Sequence, residues 1–125
     1  MLYPIKMKTD EYNENEVLRK YVLTYYSEYF TELESIGFKA ILAEEKAQNA
    51  SPSMADKLRE KWGAKNNPEV VAALSEGSDK FNEAVFQRLM SEHGNDIFIN
   101  RCPKCKKIAK TPKAKQCPWC FHDWH

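Results

Sequence analysis

All four cysteines of this 125-residue chain lie close to its C-terminal end. They form two Cys-x-x-Cys pairs, Cys102 with Cys105 and Cys117 with Cys120. Each pair places two sulfurs close enough to hold one ion, and two pairs supply the four thiolates of a closed tetrahedral site. The repeated Cys-Pro-x-Cys is hard to obtain by chance. We therefore predict that these four residues bind one structural Zn²⁺ ion.

Three other uses of paired cysteines are weighed against zinc. Four thiolates also hold a single iron, as in rubredoxin. The two pairs of a rubredoxin-type site usually lie much further apart in sequence, whereas only residues 106–116 separate the pairs of this chain. Two disulfides would need an oxidising compartment, and a thioredoxin-like redox pair needs a βαβ context that is not evident here. Zinc is the leading prediction, and an iron tetrathiolate for electron transfer is its alternative.

The cysteine segment resembles the short bacterial zinc-ribbon family, whose pattern is Cys-Pro-x-Cys-Gly followed, after a short connection, by Cys-x-x-Cys-Gly. The approach to the second pair, Ala-Lys-Gln-Cys at 114–117, is also similar. The resemblance implies zinc and a β-hairpin ribbon with rubredoxin-like knuckles, and it implies no activity. Lys106 and Phe121 replace the family's two glycines. A side chain at the positive φ of such a position costs on the order of 1 kcal/mol, against roughly 10–16 kcal/mol for binding a structural zinc.

Two histidines and three aromatic residues accompany the second cysteine pair. His122 and His125 could replace a cysteine or join a second metal site. Because four cysteines already fill the shell, we interpret both as solvated or packing histidines. We expect Trp119, Phe121 and Trp124 to pack on the ribbon or the helices, the alternative being stacking on a base or a partner peptide.

Basic residues concentrate at the C-terminal end. From residue 97 onward, seven basic residues accompany a single acidic residue, Asp123, whereas residues 1–96 have an excess of acidic ones. A basic ribbon suits a phosphate backbone, although the same charges can neutralise the thiolates or contact acidic helices. The residues predicted to contact nucleic acid or another partner are Arg101, Lys104, Lys106, Lys107, Lys110, Lys113 and Lys115.

The predicted fold class is mainly α, with a small multi-helix body at 1–95 followed by the zinc ribbon at 96–125. Apolar residues from Leu18 to Ile36 recur three and four apart, which marks one face of a helix. A second capping signal inside this run allows either one long helix or two helices with a bend near Phe30.

Further elements follow from local signals. Alternating residues predict a short N-terminal strand at 2–8 that could pair with the strand entering the ribbon. The helix bounds are predicted from start and stop residues: the first helix starts from Asn13, one ends near Asn49, one runs from Ser53 to Gly63, one from Asn67-Pro68 to Gly77, and one from Ser78 or Asp79 to Gly94.

The predicted function is binding without catalysis. Four sulfurs leave no open position for water or substrate, so the zinc is structural. The sequence contains no phosphate loop, no G-x-S-x-G and no H-E-x-x-H, and its acidic residues have the spacing of a solvated helix face. We expect no small-molecule substrate and a ribbon that contacts protein or nucleic acid, both equally favoured. Self-association through the helical body is a further option.

Composition and the N-terminus indicate the compartment. The chain is 42% hydrophobic and 30% charged, as is typical of a soluble globular protein. No apolar run approaches the length of a transmembrane helix, and the N-terminal residues lack the apolar region of a secretion signal. With clustered, reduced cysteines, these features predict a cytoplasmic protein without a membrane partner.

Overall fold

The structure, a computed structural model, describes residues 12–63 and 67–125. These residues are mainly helical and include no β-sheet. Their α-helices are α1 (Glu14–Tyr25), α2 (Glu32–Gln48), α3 (Pro52–Trp62), α4 (Pro68–Ala73) and α5 (Ser78–His93), with 3₁₀ turns at Ser27–Tyr29 and Gly94–Asp96. None of the helices in this part of the chain is long and apolar enough to cross a membrane. The strand predicted at 2–8 lies outside the described residues.

Side-chain caps explain where several helices begin. Asn13 accepts a hydrogen bond from the N–H of Glu16, and Asn67 caps α4 in the same way, so both predicted starts are confirmed. The helix predicted from Ser53 begins slightly earlier, because Ser51 is its cap. Pro52 then takes the first helical position, where its missing N–H leaves no hydrogen bond unmade.

The long apolar run contains two helices rather than one. α1 ends at Tyr25, and a capping box at Thr31 opens α2. The hydroxyl of Thr31 accepts from the N–H of Glu34 at 3.1 Å, and the Glu34 carboxylate accepts from the N–H of Thr31 at 2.9 Å. The break therefore falls close to the bend predicted at Phe30, because these reciprocal bonds satisfy backbone groups that a continuous helix would bond internally.

The chain divides into two compact units. One comprises residues 27–92, and the other combines residues 12–26 with residues 93–125. We call the second the cysteine unit, because it contains all four cysteines together with α1. The predicted domain boundary between residues 95 and 96 stays a prediction, since these units are groups of residues in contact rather than independently folding domains.

The predicted β-hairpin is not observed in the described residues. Its first strand was expected at 97–100, but hydroxyls from α1 bind the backbone there. Tyr21 donates to the carbonyl of Phe98 at 2.8 Å and accepts from the N–H of Asn100 at 3.1 Å. The hydroxyl of Tyr26, just beyond α1, contacts both backbone groups of Phe98 at 3.0 and 3.1 Å. These tyrosines occupy the backbone groups that a neighbouring strand would need.

Small residues let the helices of unit 27–92 approach closely. α2 packs against α3 and α4, and its alanines at positions 40, 43 and 47 are buried. Gly37 is buried in the same helix, and a Cβ atom there would lie 2.5 Å from the ring of Phe81. A larger residue would therefore displace a buried aromatic ring of α5.

A nearly buried ion pair also stabilises unit 27–92. Arg88 on α5 donates to both carboxylate oxygens of Glu34, each at 2.6 Å. The same guanidinium donates to the carbonyl of Tyr29 and to the carboxylate of Glu92, both at 2.8 Å. Because Glu34 also belongs to the capping box, one carboxylate fixes the start of α2 and the position of α5.

We predict that Glu34→Gln lowers the free energy of unfolding by about 2 kcal/mol or more, because it leaves Arg88 without its charged acceptor. Glu44→Gln is the matched control. Glu44 is also bidentate with an arginine, Arg59, at 3.0 Å, but that pair is largely exposed. Urea denaturation should therefore show a much smaller loss for Glu44→Gln. Equal losses would contradict the role given to burial.

The cost of Glu34→Gln should depend on pH. Burial raises the pKa of Glu34, but hydrogen bonds from Arg88 and Thr31 outweigh it and hold the pKa below its ordinary 4.5. A carboxylate with a lowered pKa stabilises the folded state above its ordinary value, and that stability is lost as the pH falls through the folded pKa. Denaturation between pH 7 and pH 3 should show a constant difference from wild type above about pH 5 that shrinks below 4.5.

Candidate metal centre

The four cysteine sulfurs converge on one point. All four Sγ atoms lie within 4.8 Å of one another. Cys102 Sγ lies 3.7 Å from Cys120 Sγ, and Cys105 Sγ lies 3.5 Å from Cys117 Sγ. A disulfide needs about 2.05 Å, whereas zinc held at about 2.3 Å from each sulfur in a tetrahedron separates its ligands by about 3.8 Å. The predicted donor set is therefore brought together, and it can hold one metal ion.

Each cysteine pair lies in a tight loop closed by an isolated antiparallel bridge. The first knuckle runs from Arg101 to Ile108 and the second from Gln116 to Asp123. In both, the N–H of the residue after the pair donates to the carbonyl of the first cysteine, at 2.9 and 3.1 Å. The N–H of the first cysteine donates in turn to the carbonyl five residues later, at 2.9 Å in both.

The two knuckles are thus a structural repeat with an offset of fifteen residues. Sequence reasoning found only the repeated Cys-Pro-x-Cys. The remaining positions share backbone hydrogen bonds but not residue types, so residue identity carries no signal for them. The repeat places two pairs of sulfurs against each other in similar settings, and together they match the ligand number of a structural zinc site.

Backbone N–H groups point at the first sulfur of each knuckle. Cys102 Sγ accepts from the N–H groups of Lys104 and Cys105 at 3.3 and 3.4 Å. Cys117 Sγ accepts from the two equivalent groups of the second knuckle at the same distances. Such donors favour the thiolate over the thiol, and they orient a sulfur that is to ligate a metal.

These surroundings separate the pKa values of the thiols. Burial raises the pKa of Cys102, but the N–H groups of Cys105 and Lys104 outweigh it and lower the pKa to about 6. The pKa of Cys117 is lowered for the same reasons. The N–H of Lys107 lowers the pKa of Cys105, but burial and the neighbouring sulfurs raise it to about 11. Adjacent thiolates repel one another, and a bound cation would favour their deprotonated forms.

The residue after each pair adopts the left-handed conformation. Lys106 has φ of 68° and Phe121 has φ of 65°. This is the conformation expected from the glycines that the resembling family has at these two positions. The knuckle geometry is therefore kept without glycine, at the cost of backbone strain.

Aromatic residues pack the knuckles onto the start of α1. The ring of Trp119 meets that of Tyr12 edge to face, with centroids 4.9 Å apart. Tyr12 accepts from the N–H of Ile108 at 3.1 Å, and Trp119 donates from its indole to the carbonyl of Ile108 at 3.2 Å. The ammonium of Lys107 lies over both rings. Trp119 therefore packs within the cysteine unit, as expected.

A buried asparagine secures the connection between the knuckles. The side chain of Asn100 donates to the carbonyls of Thr111 and Ala114, both at 2.9 Å. The backbone carbonyl of Asn100 accepts from the N–H of Ala109 at 2.7 Å. Sequence analysis missed Asn100, because an asparagine beside a cysteine pair carries no local signal of such distant partners.

The predicted contact residues fall into two groups. Arg101 pairs with Glu14 of α1 and also donates to the carbonyl of Lys106. Lys106 donates to the carbonyl of Pro103, and Lys107 covers the two aromatic rings. The other four predicted contact residues are exposed and form no ion pair with any residue in 12–63 or 67–125. They are Lys104, Lys110, Lys113 and Lys115.

The two histidines lie outside the sulfur cluster. His122 stacks on Trp124 with centroids 6.2 Å apart, and His125 bonds to the carboxylate of Asp123. In the part of the chain that the structure describes, the converging donors are the cysteines alone. Phe121 is 72% exposed, so it does not pack as predicted.

We predict that Lys106→Gly raises the stability of the metal-loaded protein by up to about 0.5 kcal/mol, because relief of a positive φ that costs about 1 kcal/mol outweighs the glycine's chain entropy of about 0.5–1 kcal/mol. Lys104→Gly removes the same charge in the same knuckle, at a residue outside the left-handed region. It should lower the stability by about 0.5–1 kcal/mol. The midpoints of thermal unfolding compare the two variants, and a loss in both would contradict the strain at Lys106.

No protein-family model matches this sequence, and neither the curated proteins nor the solved structures compared with it match. The likeness to short bacterial zinc ribbons therefore rests on the cysteine motif. Conclusions about function depend on the residues and the geometry of the two knuckles.

Proposed function

We propose that this chain is a non-enzymatic zinc-binding protein, in which two ribbon-type knuckles share one structural zinc and serve as an interaction module. The observation that supports this most is the convergence of four sulfurs within 4.8 Å of one another, two from each knuckle. Four soft thiolates are the donor set of tetrahedral structural zinc sites, and the N–H groups aimed at two of the sulfurs orient them to bind the ion.

The donor set favours a structural rather than a catalytic ion. Four protein ligands complete the tetrahedral shell and leave no position for water or a substrate. A bound zinc would fix the relative position of two knuckles that otherwise share few regular hydrogen bonds. The same donors can hold iron, so an iron electron-transfer site is the competing assignment, and the metal must be identified by measurement.

Surface charge supports a binding role. In the described residues of the cysteine unit, nine basic residues accompany four acidic ones, and its six exposed lysines form no ion pair with the described residues. Unit 27–92 has the opposite balance. The cysteine unit is therefore the part suited to a negatively charged partner. A reducing compartment such as the cytoplasm, which we also propose, would keep the thiols available for zinc.

We predict about one zinc per chain in the purified protein and no visible absorption, because a closed tetrathiolate shell takes one ion and zinc has no d–d or redox transitions. Elemental analysis with a visible spectrum measures both. Cys120→Ser should lose most of the metal, whereas His122→Ala, which changes a residue outside the cluster, should keep it.

Three other results of the metal analysis would contradict the proposed zinc site. A red protein containing iron would replace the proposal with electron transfer. A metal-free protein with four titratable thiols after anaerobic preparation would contradict any metal-centred function. Loss of the metal in His122→Ala as well would contradict a shell made of cysteine alone.

A further inference from the structure

An apolar groove runs between α1 and the knuckles within the cysteine unit. Its volume is about 380 Å³, and its walls come from one face of α1 and from both knuckles. Val17 and Tyr25 line it on α1, and Ile108 and Trp119 line it on the knuckles. The groove thus shares Ile108 and Trp119 with the contacts that pack the knuckles against the start of α1.

A second depression adjoins the groove at Tyr25. It has a volume of about 270 Å³ and is lined by the connection between the knuckles, including Pro112. Tyr25 lines both depressions and is 40% exposed. Its ring is therefore a solvent-accessible aromatic surface shared by two neighbouring sites.

Lysines accompany this aromatic surface. Lys20 and Lys110 line the groove, and Lys113 lines the second depression. All three are exposed, and none forms an ion pair within the described ranges 12–63 and 67–125. Three uncompensated cations around one exposed ring favour a ligand that combines a flat apolar group with repeated negative charge.

We infer that the two depressions bind single-stranded nucleic acid, with an unpaired base on Tyr25 and phosphates near Lys20, Lys110 and Lys113. A single strand supplies a ring and a phosphate at every residue, whereas an acidic peptide supplies the charge without the ring, and a duplex keeps its bases stacked inside. The inference depends on the proposed function, because the metal-bound knuckles form one wall of the groove.

The aromatic part is tested with a short fluorescein-labelled oligouridylate, whose binding to the full chain is followed by fluorescence anisotropy. Tyr25→Ala should weaken binding about tenfold, while Tyr25→Phe, which keeps the ring, should stay within about twofold of wild type. Phe98→Ala removes a more exposed aromatic residue, 59% against 40% for Tyr25, that lines neither depression, and it should change affinity by less than about twofold. Equal affinity for Tyr25→Ala and wild type would overturn the inference.

The charged part is tested by two double variants of equal charge. Lys110→Ala/Lys113→Ala removes cations from the two depressions, and Lys104→Ala/Lys115→Ala removes two exposed cations that line neither. The first should reduce the slope of log Kd against log salt concentration by about 1.4, and the second should leave the slope nearly unchanged. An equal change of slope in the two double variants would indicate diffuse attraction to a basic surface and would contradict binding of the strand in the two depressions.

Controls separate this inference from the proposed function. Every variant is assayed for bound metal, so wild type that lacks metal would contradict the proposed function, whereas metal-loaded wild type that does not bind the oligonucleotide would contradict only the groove. Polyglutamate that competes as well as unlabelled oligouridylate would assign the groove to an acidic protein. A dimer by light scattering that Tyr25→Ala converts to a monomer would assign it to a second copy.

Discussion

The convergence of four cysteine sulfurs is the constraint on which the cysteine unit depends. Sulfurs 3.5 to 3.7 Å apart are too distant for disulfides and too close to carry four unshared negative charges. A shared cation would resolve this conflict. The positive φ angles after each pair and the N–H groups directed at Cys102 and Cys117 belong to the backbone geometry that brings the four sulfurs together.

The knuckles are small, and contacts with α1 and with the residues that flank it add to their stability. Three kinds of contact provide it: the hydroxyls of Tyr21 and Tyr26 on the entering segment, the Tyr12 and Trp119 rings, and the Glu14–Arg101 ion pair. This arrangement explains why α1 belongs to the same compact unit as the cysteines. The same packing leaves the groove, because the surfaces of a helix and of two loops do not fill all the space between them.

Sequence reasoning succeeded where the signal is local. The cysteine spacing predicted which donors meet, and caps such as Asn13 and Asn67 predicted helix starts, because both depend on residues a few positions apart. It was wrong about the hairpin, because the groups that bind the segment at 97–100 are tyrosine hydroxyls more than seventy residues earlier. The Glu34–Arg88 pair was missed for the same reason, since its partners meet only after folding.

The most direct test of the metal centre is X-ray absorption at the edge of whichever metal copurifies with the chain. A closed tetrathiolate site predicts four sulfur neighbours and no nitrogen or oxygen, at about 2.3 Å if the metal is zinc. A shell with fewer sulfurs completed by imidazole or water would contradict the central claim. It would show that one of the four cysteines, although placed in the cluster, is not a ligand, and that the site has an open position.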